Sequence, residues 1–210
     1  MTTTEPNQTL FENISKQAKL GQLLTEPTAL SGGLLHQMNQ IQTTTGTYAV
    51  KLLNPSILSR PTARQNFIDS ERIVNALAGK VSALPALTID GSALQQIGTH
   101  YYLVFPWMDG SLLSIQQVTS SHAELIGEQL AQIHAADLSS LKVHQTAASP
   151  ESPVPWDTFA EKIRQQGLTV LEPYWTDLKR IKRWDSEASS TLKQWQGTSV
   201  LSHRDLDAKN

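Results

Sequence analysis

The hydrophobic period of this 210-residue chain changes once along its length, and that change restricts the fold more tightly than any single motif. Between Ala29 and Phe105, apolar and β-branched residues gather in short runs broken by turn residues, which is the signature of strands. The stretch ALSGGLLHQMNQIQTTTGTYAVKLL reads as strand, glycine turn, strand, Thr-Gly hairpin and strand. GSALQQIGTHYYLVFPWMDG adds two more, the second a continuous apolar run from Tyr101 to Phe105. One helix interrupts the series, RPTARQNFIDSERIVNALAG, with Pro61 suited to its first turn and Gly79 to its C-terminal end. A helix with Leu10, Ile14, Ala18 and Leu24 at roughly helical spacing comes before them.

From Ser121 onward the period is helical. Leu125, Ile126, Leu130 and Ile133 share one face. Beyond a Pro-, Ser- and Ala-bearing linker at 142–155, two more helices follow, the second with Leu171, Tyr174, Leu178, Ile181, Ala188, Leu192 and Trp195 along one stripe. The expected class is α+β. Residues 1–8 read as a disordered tail, 9–108 as an N-terminal lobe with a five-stranded antiparallel sheet and one internal helix, and 109–210 as a mainly helical C-terminal lobe.

Composition removes several classes of function. No run approaches the roughly eighteen apolar residues that a membrane span needs, and the polar N-terminus MTTTEPNQTLFEN lacks the order of a secretory signal. The absence of cysteine excludes disulfides, thiolate chemistry and Cys-ligated zinc, and fits the cytoplasm. Seventeen basic against nineteen acidic residues leave a net charge of −2, which is not the footprint of a nucleic-acid-binding domain.

The chemistry concentrates at five places. In TYAVKLL a lysine stands inside an apolar strand, where an unpaired ammonium would cost on the order of several kcal/mol of desolvation, so Lys51 needs an anion. In the following helix Glu71 falls in line with Phe67, Val74 and Ala78, which puts its carboxylate on the apolar stripe. Such a pair would aim Lys51 at the α and β phosphates of a nucleotide; a snorkelling lysine and a boundary glutamate are the plainer reading. LSGGLL offers Ser31, Gly32 and Gly33, where backbone can approach phosphates closely, although two glycines also make an ordinary turn.

At LVFPWMDG, Pro106 retains a carbonyl that can accept from an adenine amino group, and the Met108 N–H can donate to the ring; an ordinary strand end is the alternative. The closing HRDLDAKN holds His203, Asp205 and Asn210 in the spacing HxDxxxxN. There an Asp can accept the proton of an attacking hydroxyl and an Asn can offer oxygen to Mg²⁺, though the same letters also suit a polar loop.

In their order along the chain, LSGGLL, YAVKLL, Glu71, YYLVFPWMDG, LAQIHAADL and LSHRDLDAKN resemble the aminoglycoside phosphotransferase and choline kinase family, which has a protein-kinase-like fold. The resemblance runs from about residue 27 to the end. It implies an ATP-dependent, Mg²⁺-requiring transfer of the γ-phosphoryl group to a hydroxyl of a small molecule such as an aminoglycoside or a choline-like amino alcohol. By that likeness Lys51 and Glu71 are the nucleotide-side ion pair, Ser31, Gly32 and Gly33 cover the phosphates, and Pro106 and Met108 hold adenine. Asp205 is then the catalytic base, Asn210 a magnesium ligand, and His203 a brace for the loop.

Protein kinases share HRDL, but they usually place Lys two residues after the Asp, where this chain has Asp207. Their Gly-rich loop is also missing, and the helices between 156 and 197 resemble those of small-molecule phosphotransferases. Relatives continue past the Asn into a hairpin with a metal-binding Asp, so the expectation is a chain incomplete at its catalytic loop and impaired in turnover. The alternative is a kinase-fold module that binds nucleotide or a partner without catalysis. Trp156, Trp175, Trp184 and Trp195 read as core in preference to a cation cage, LKRIKRW as a solvated helix face, and Asp185 as a stripe residue with no identified partner.

Overall fold

The computed structural model describes residues 8–31, 35–111, 113–141, 154–167, 175–194, 196–197 and 200–201. The chain divides into two compact units, one formed by Met1–His144 with Val200–Asn210 and one by Gln145–Ser199. Residues on both sides of position 108, the expected lobe boundary, fall in the first unit.

In the first unit the TTTG turn organises the sheet. Strands β2 (Gln37–Thr43) and β3 (Gly46–Leu52) meet around Thr44 and Thr45, with Thr43 opposite Gly46 and Met38 opposite Lys51. The Thr43 hydroxyl fastens the turn, donating to the Gly46 carbonyl at 2.9 Å and accepting the Thr45 N–H at 3.3 Å. β1 (Thr28–Leu30) lies on the outer side of β2, while β5 (His100–Pro106) pairs with β3 and with β4 (Gln95–Ile97). All neighbours are antiparallel and the order is β1-β2-β3-β5-β4, the expected five-stranded sheet.

Because side chains alternate across a strand and directly opposed residues share a face, the register sorts the sheet into two surfaces. One carries Ile41, Val50, Leu52, Tyr102 and Val104, and buries them against Phe11 and Ile14 of helix α1 (Gln8–Gln17). The other carries Met38, Lys51 and Leu103. Leu103 packs there with Ala86 and Ala93, joined by Phe67, Leu94 and Phe105. Phe67 belongs to helix α3 (Ala63–Leu77), which follows the single turn α2 (Pro55–Leu58). α3 ends where expected: Gly79, at φ +84°, takes up the left-handed conformation that closes a helix at little cost.

Gly21 is a second position that only glycine fits. Its φ is +84° and an added Cβ would sit 2.0 Å from the Thr44 hydroxyl oxygen. The close approach ties the end of α1 to the β2–β3 hairpin, where Ser15 also donates to the Gly21 carbonyl at 2.7 Å. Helix α4 (Ser120–Ala135) opens on a reciprocal cap between Thr119 and His122 and contains no buried residue.

The second unit holds α5 (Trp156–Gln165) and α6 (Leu178–Gln194), linked by polar contacts. Asp185 Oδ2 accepts from the Trp156 indole N–H at 3.0 Å and from the Val154 N–H at 3.2 Å, and Lys182 reaches Asp157 at 2.6 Å. Trp184 is half exposed with the Arg180 guanidinium 5.0 Å above its ring, so the reading of the tryptophans as core does not hold for this one. Leu171, Tyr174 and Trp195 lie outside the described residues.

Candidate active site

Lys51 stands next to the last residue of β3 on the α3-facing surface, with Met38 on one side and Leu103 on the other. Burial strips water from its ammonium and lowers its pKa, while the nearby Glu71 charge partly restores it. Glu71 occupies α3 one turn beyond Phe67, the position expected for it. One of its oxygens is used elsewhere: Oε2 accepts the Ala86 N–H at 3.0 Å. That bond anchors α3 to the segment beside β5, where the Leu87 N–H donates to the Val104 carbonyl at 2.7 Å. Among the described residues no carboxylate comes within 4.0 Å of the Lys51 ammonium. Lys51 and Glu71 are thus neighbours coupled through charge, and the lysine keeps its donors free among these residues.

His36, which sequence reasoning passed over, borders the same place. It stands one residue before β2, and its contact with Phe67 of α3 and the influence of the Lys51 charge put it near the lysine, two residues before Met38. Its Nδ1 accepts the Asn54 N–H at 3.1 Å, and its ring stands edge-on to Phe67, with centroids 5.6 Å apart. Burial and then the Lys51 charge lower its pKa, holding the imidazole neutral.

At the other end of β5, Pro106 lies opposite Tyr48, and the Trp107 N–H is used by the Thr47 carbonyl at 3.2 Å. Met108 is two-thirds exposed, and no described residue accepts its N–H. Ser31 follows β1 and is exposed. Gly32, Gly33, His203, Asp205 and Asn210 lie outside the described residues. Among the described residues no group of three or more His, Asp and Glu side chains could hold a metal ion, and no helix is long and apolar enough to cross a membrane. An open cleft of about 530 Å³ lies at the β1 edge, bordered by Glu26, Phe11, His36 and Asn39, but not by Lys51, Glu71, Pro106 or Met108.

An antiparallel five-stranded sheet with a strand lysine charge-coupled to a helix glutamate is the arrangement of the kinase-like fold. Residues 26–210 match the model of the phosphotransferase enzyme family, and the chain belongs to that family. Among solved structures it is similar to a spectinomycin phosphotransferase, APH(9)-Ia, in complex with ADP and spectinomycin, at 16% identity and a TM-score of 0.65. The match covers 99% of this chain and 65% of that one, so the chain spans about two thirds of the length of the protein it resembles. No curated protein sequence matched it.

Proposed function

We propose that this protein is an ATP-dependent phosphotransferase that moves the γ-phosphoryl group to a hydroxyl of a small molecule, of the aminoglycoside or choline-like amino alcohol class. The observation that carries this reading is Lys51: a partly buried ammonium with no described acceptor, near a carboxylate with one oxygen already bonded to backbone, in a chain of the phosphotransferase family. An ammonium in that setting favours a polyanionic ligand. The unclaimed Met108 N–H at the end of β5 suits an adenine edge, with the Pro106 carbonyl as its companion acceptor.

In this reading Ser31, Gly32 and Gly33 cover the phosphates and Glu71 holds α3 where its charge supports Lys51. Residues 9–108 form the nucleotide-binding lobe and 109–210 the helical one. Asp205 orients the acceptor hydroxyl and takes its proton as the hydroxyl oxygen bonds the γ-phosphorus and the bond from that phosphorus to the β–γ bridging oxygen breaks, releasing ADP. Asn210 would hold Mg²⁺, which when bound offsets charge on the phosphates. The neighbour's complex with ADP and spectinomycin supports a nucleotide and a small molecule as ligands, and a cytoplasmic setting is suggested only by the absence of cysteine.

Calorimetry with ATP tests the nucleotide half of the proposal. Lys51→Ala is expected to weaken ATP binding about tenfold or more, and equal affinity in the variant would remove the phosphate role. Asp205→Ala tests the chemistry: turnover is expected to drop by about 10² to 10⁴ with little change in ATP affinity. An unchanged rate in an ATP-consumption assay with aminoglycoside or choline acceptors would overturn the assignment. ATP binding without consumption by the unaltered chain would favour the non-catalytic module.

A further inference from the structure

The Lys51 ammonium has a neighbour that is also an unspent donor. The Asn54 backbone N–H can only donate, so the His36 Nδ1 that it meets at 3.1 Å must be the accepting nitrogen. The proton of the neutral ring therefore sits on Nε2. Edge-on contact with Phe67 fixes the plane of the ring, and no described residue accepts from Nε2. His36 and Lys51 cannot satisfy each other, because an N–H and an ammonium both donate. Two partly desolvated donors beside α3, with one oxygen of the Glu71 carboxylate taken by the Ala86 N–H, leave an anion as the group that would satisfy both. The position agrees: His36 follows the glycine segment by three residues, directly precedes β2 and touches Phe67 of α3, the helix that carries Glu71.

We propose that His36 is a phosphate-binding residue, its Nε2–H donating beside Lys51 to a phosphate oxygen of the bound nucleoside triphosphate. This inference rests on the nucleotide-binding reading above. His36 also joins the start of β2 to the chain just after β3, so a purely structural role has to be told apart from ligand contact.

Two substitutions separate these roles, because each keeps one nitrogen's function. In His36→Asn the amide oxygen can still accept the Asn54 N–H, but nothing replaces the outward donor. In His36→Gln the amide nitrogen can take the place of Nε2. Binding of ATP and of adenosine, which has the ring and sugar but no phosphate, is measured for both variants and for Lys51→Ala. The Asn variant is expected to lose about tenfold in ATP affinity with adenosine unchanged, and the Gln variant to stay within about threefold of the unaltered chain for both.

Wild-type ATP affinity in the Asn variant would overturn the proposal, as would a parallel loss for ATP and adenosine, which marks a structural role. If Lys51→Ala weakens ATP binding and neither His36 variant does, the His36 inference alone falls. If the unaltered chain does not bind ATP, the nucleotide reading falls and takes this inference with it.

Discussion

The sheet of the first unit and helix α4 of the same unit are both amphipathic, yet only the sheet buries what its pattern sets aside for burial. Phe11, Ile14, Ile41, Val50, Tyr102 and Val104 are each 1% exposed or less, forming a dry layer between α1 and the strands. In α4, Leu125 is 59% exposed and Ile126 45%. A strand pattern fixes both the element and its partner, since pairing brings the next strand's side chains to the same face. A helical pattern fixes the stripe and leaves the partner open. The helix is set by its ends and polar contacts: the Thr119–His122 cap, and the Ser82 N–H meeting Gln129 Oε1 at 2.6 Å.

A pair of truncations should show this difference with the largest effect. Phe11→Ala removes a ring from the layer beneath the sheet and is expected to cost about 3–5 kcal/mol, read from denaturant unfolding. Leu125→Ala removes an exposed side chain and substitutes a better helix former, so its effect should stay within about 0.5 kcal/mol. A loss above 2 kcal/mol at Leu125 would show that α4's apolar face is covered in solution, and the contrast would disappear.

The same asymmetry explains how much could be read from sequence. The TTTG turn fixes the β2–β3 register, and the register puts Lys51 on the face opposite Val50 and Leu52, so the fold and the position of the lysine were legible from local letters. His36 lies one residue outside that register, which stops at Gln37, so counting back from the turn does not place it. It was missed because a lone histidine at a strand start carries no signal until its partners, Asn54 and Phe67, are brought in by the chain's path.

Long-range side-chain bonds were hidden for that reason. The stripe predicts that Glu71 faces inward, but nothing local says that its oxygen will take the Ala86 N–H in preference to the Lys51 ammonium. Asp185, without an apparent partner in the sequence, finds the Trp156 indole and the Val154 N–H across the helix pair. The glycine pair and the catalytic-loop residues Asp205 and Asn210 rest on motif order and family membership, since they lie outside the described residues.

The smallest effect gives the finest test of how dry the sheet's layer is. Tyr102 is fully buried among Leu52, Val50 and Val104, and its hydroxyl has no hydrogen-bond partner among the described residues. A buried hydroxyl without a partner forfeits its hydration, so Tyr102→Phe, which keeps the ring and removes that group, is expected to be neutral or to stabilise by up to about 1 kcal/mol at pH 7. Burial also pushes the Tyr102 pKa up to about 12 from its ordinary 10. The sign follows: from pH 10 upward the unfolded chain releases this proton while the folded chain retains it, so wild-type stability is lost progressively toward pH 12. Phenylalanine has no such proton, and the advantage of the variant should widen across that window in thermal unfolding followed against pH. A destabilisation by Tyr102→Phe of 1 kcal/mol or more at pH 7 would mean that the hydroxyl is bonded, by water or by chain, and that the layer under the sheet is wetter than its packing indicates.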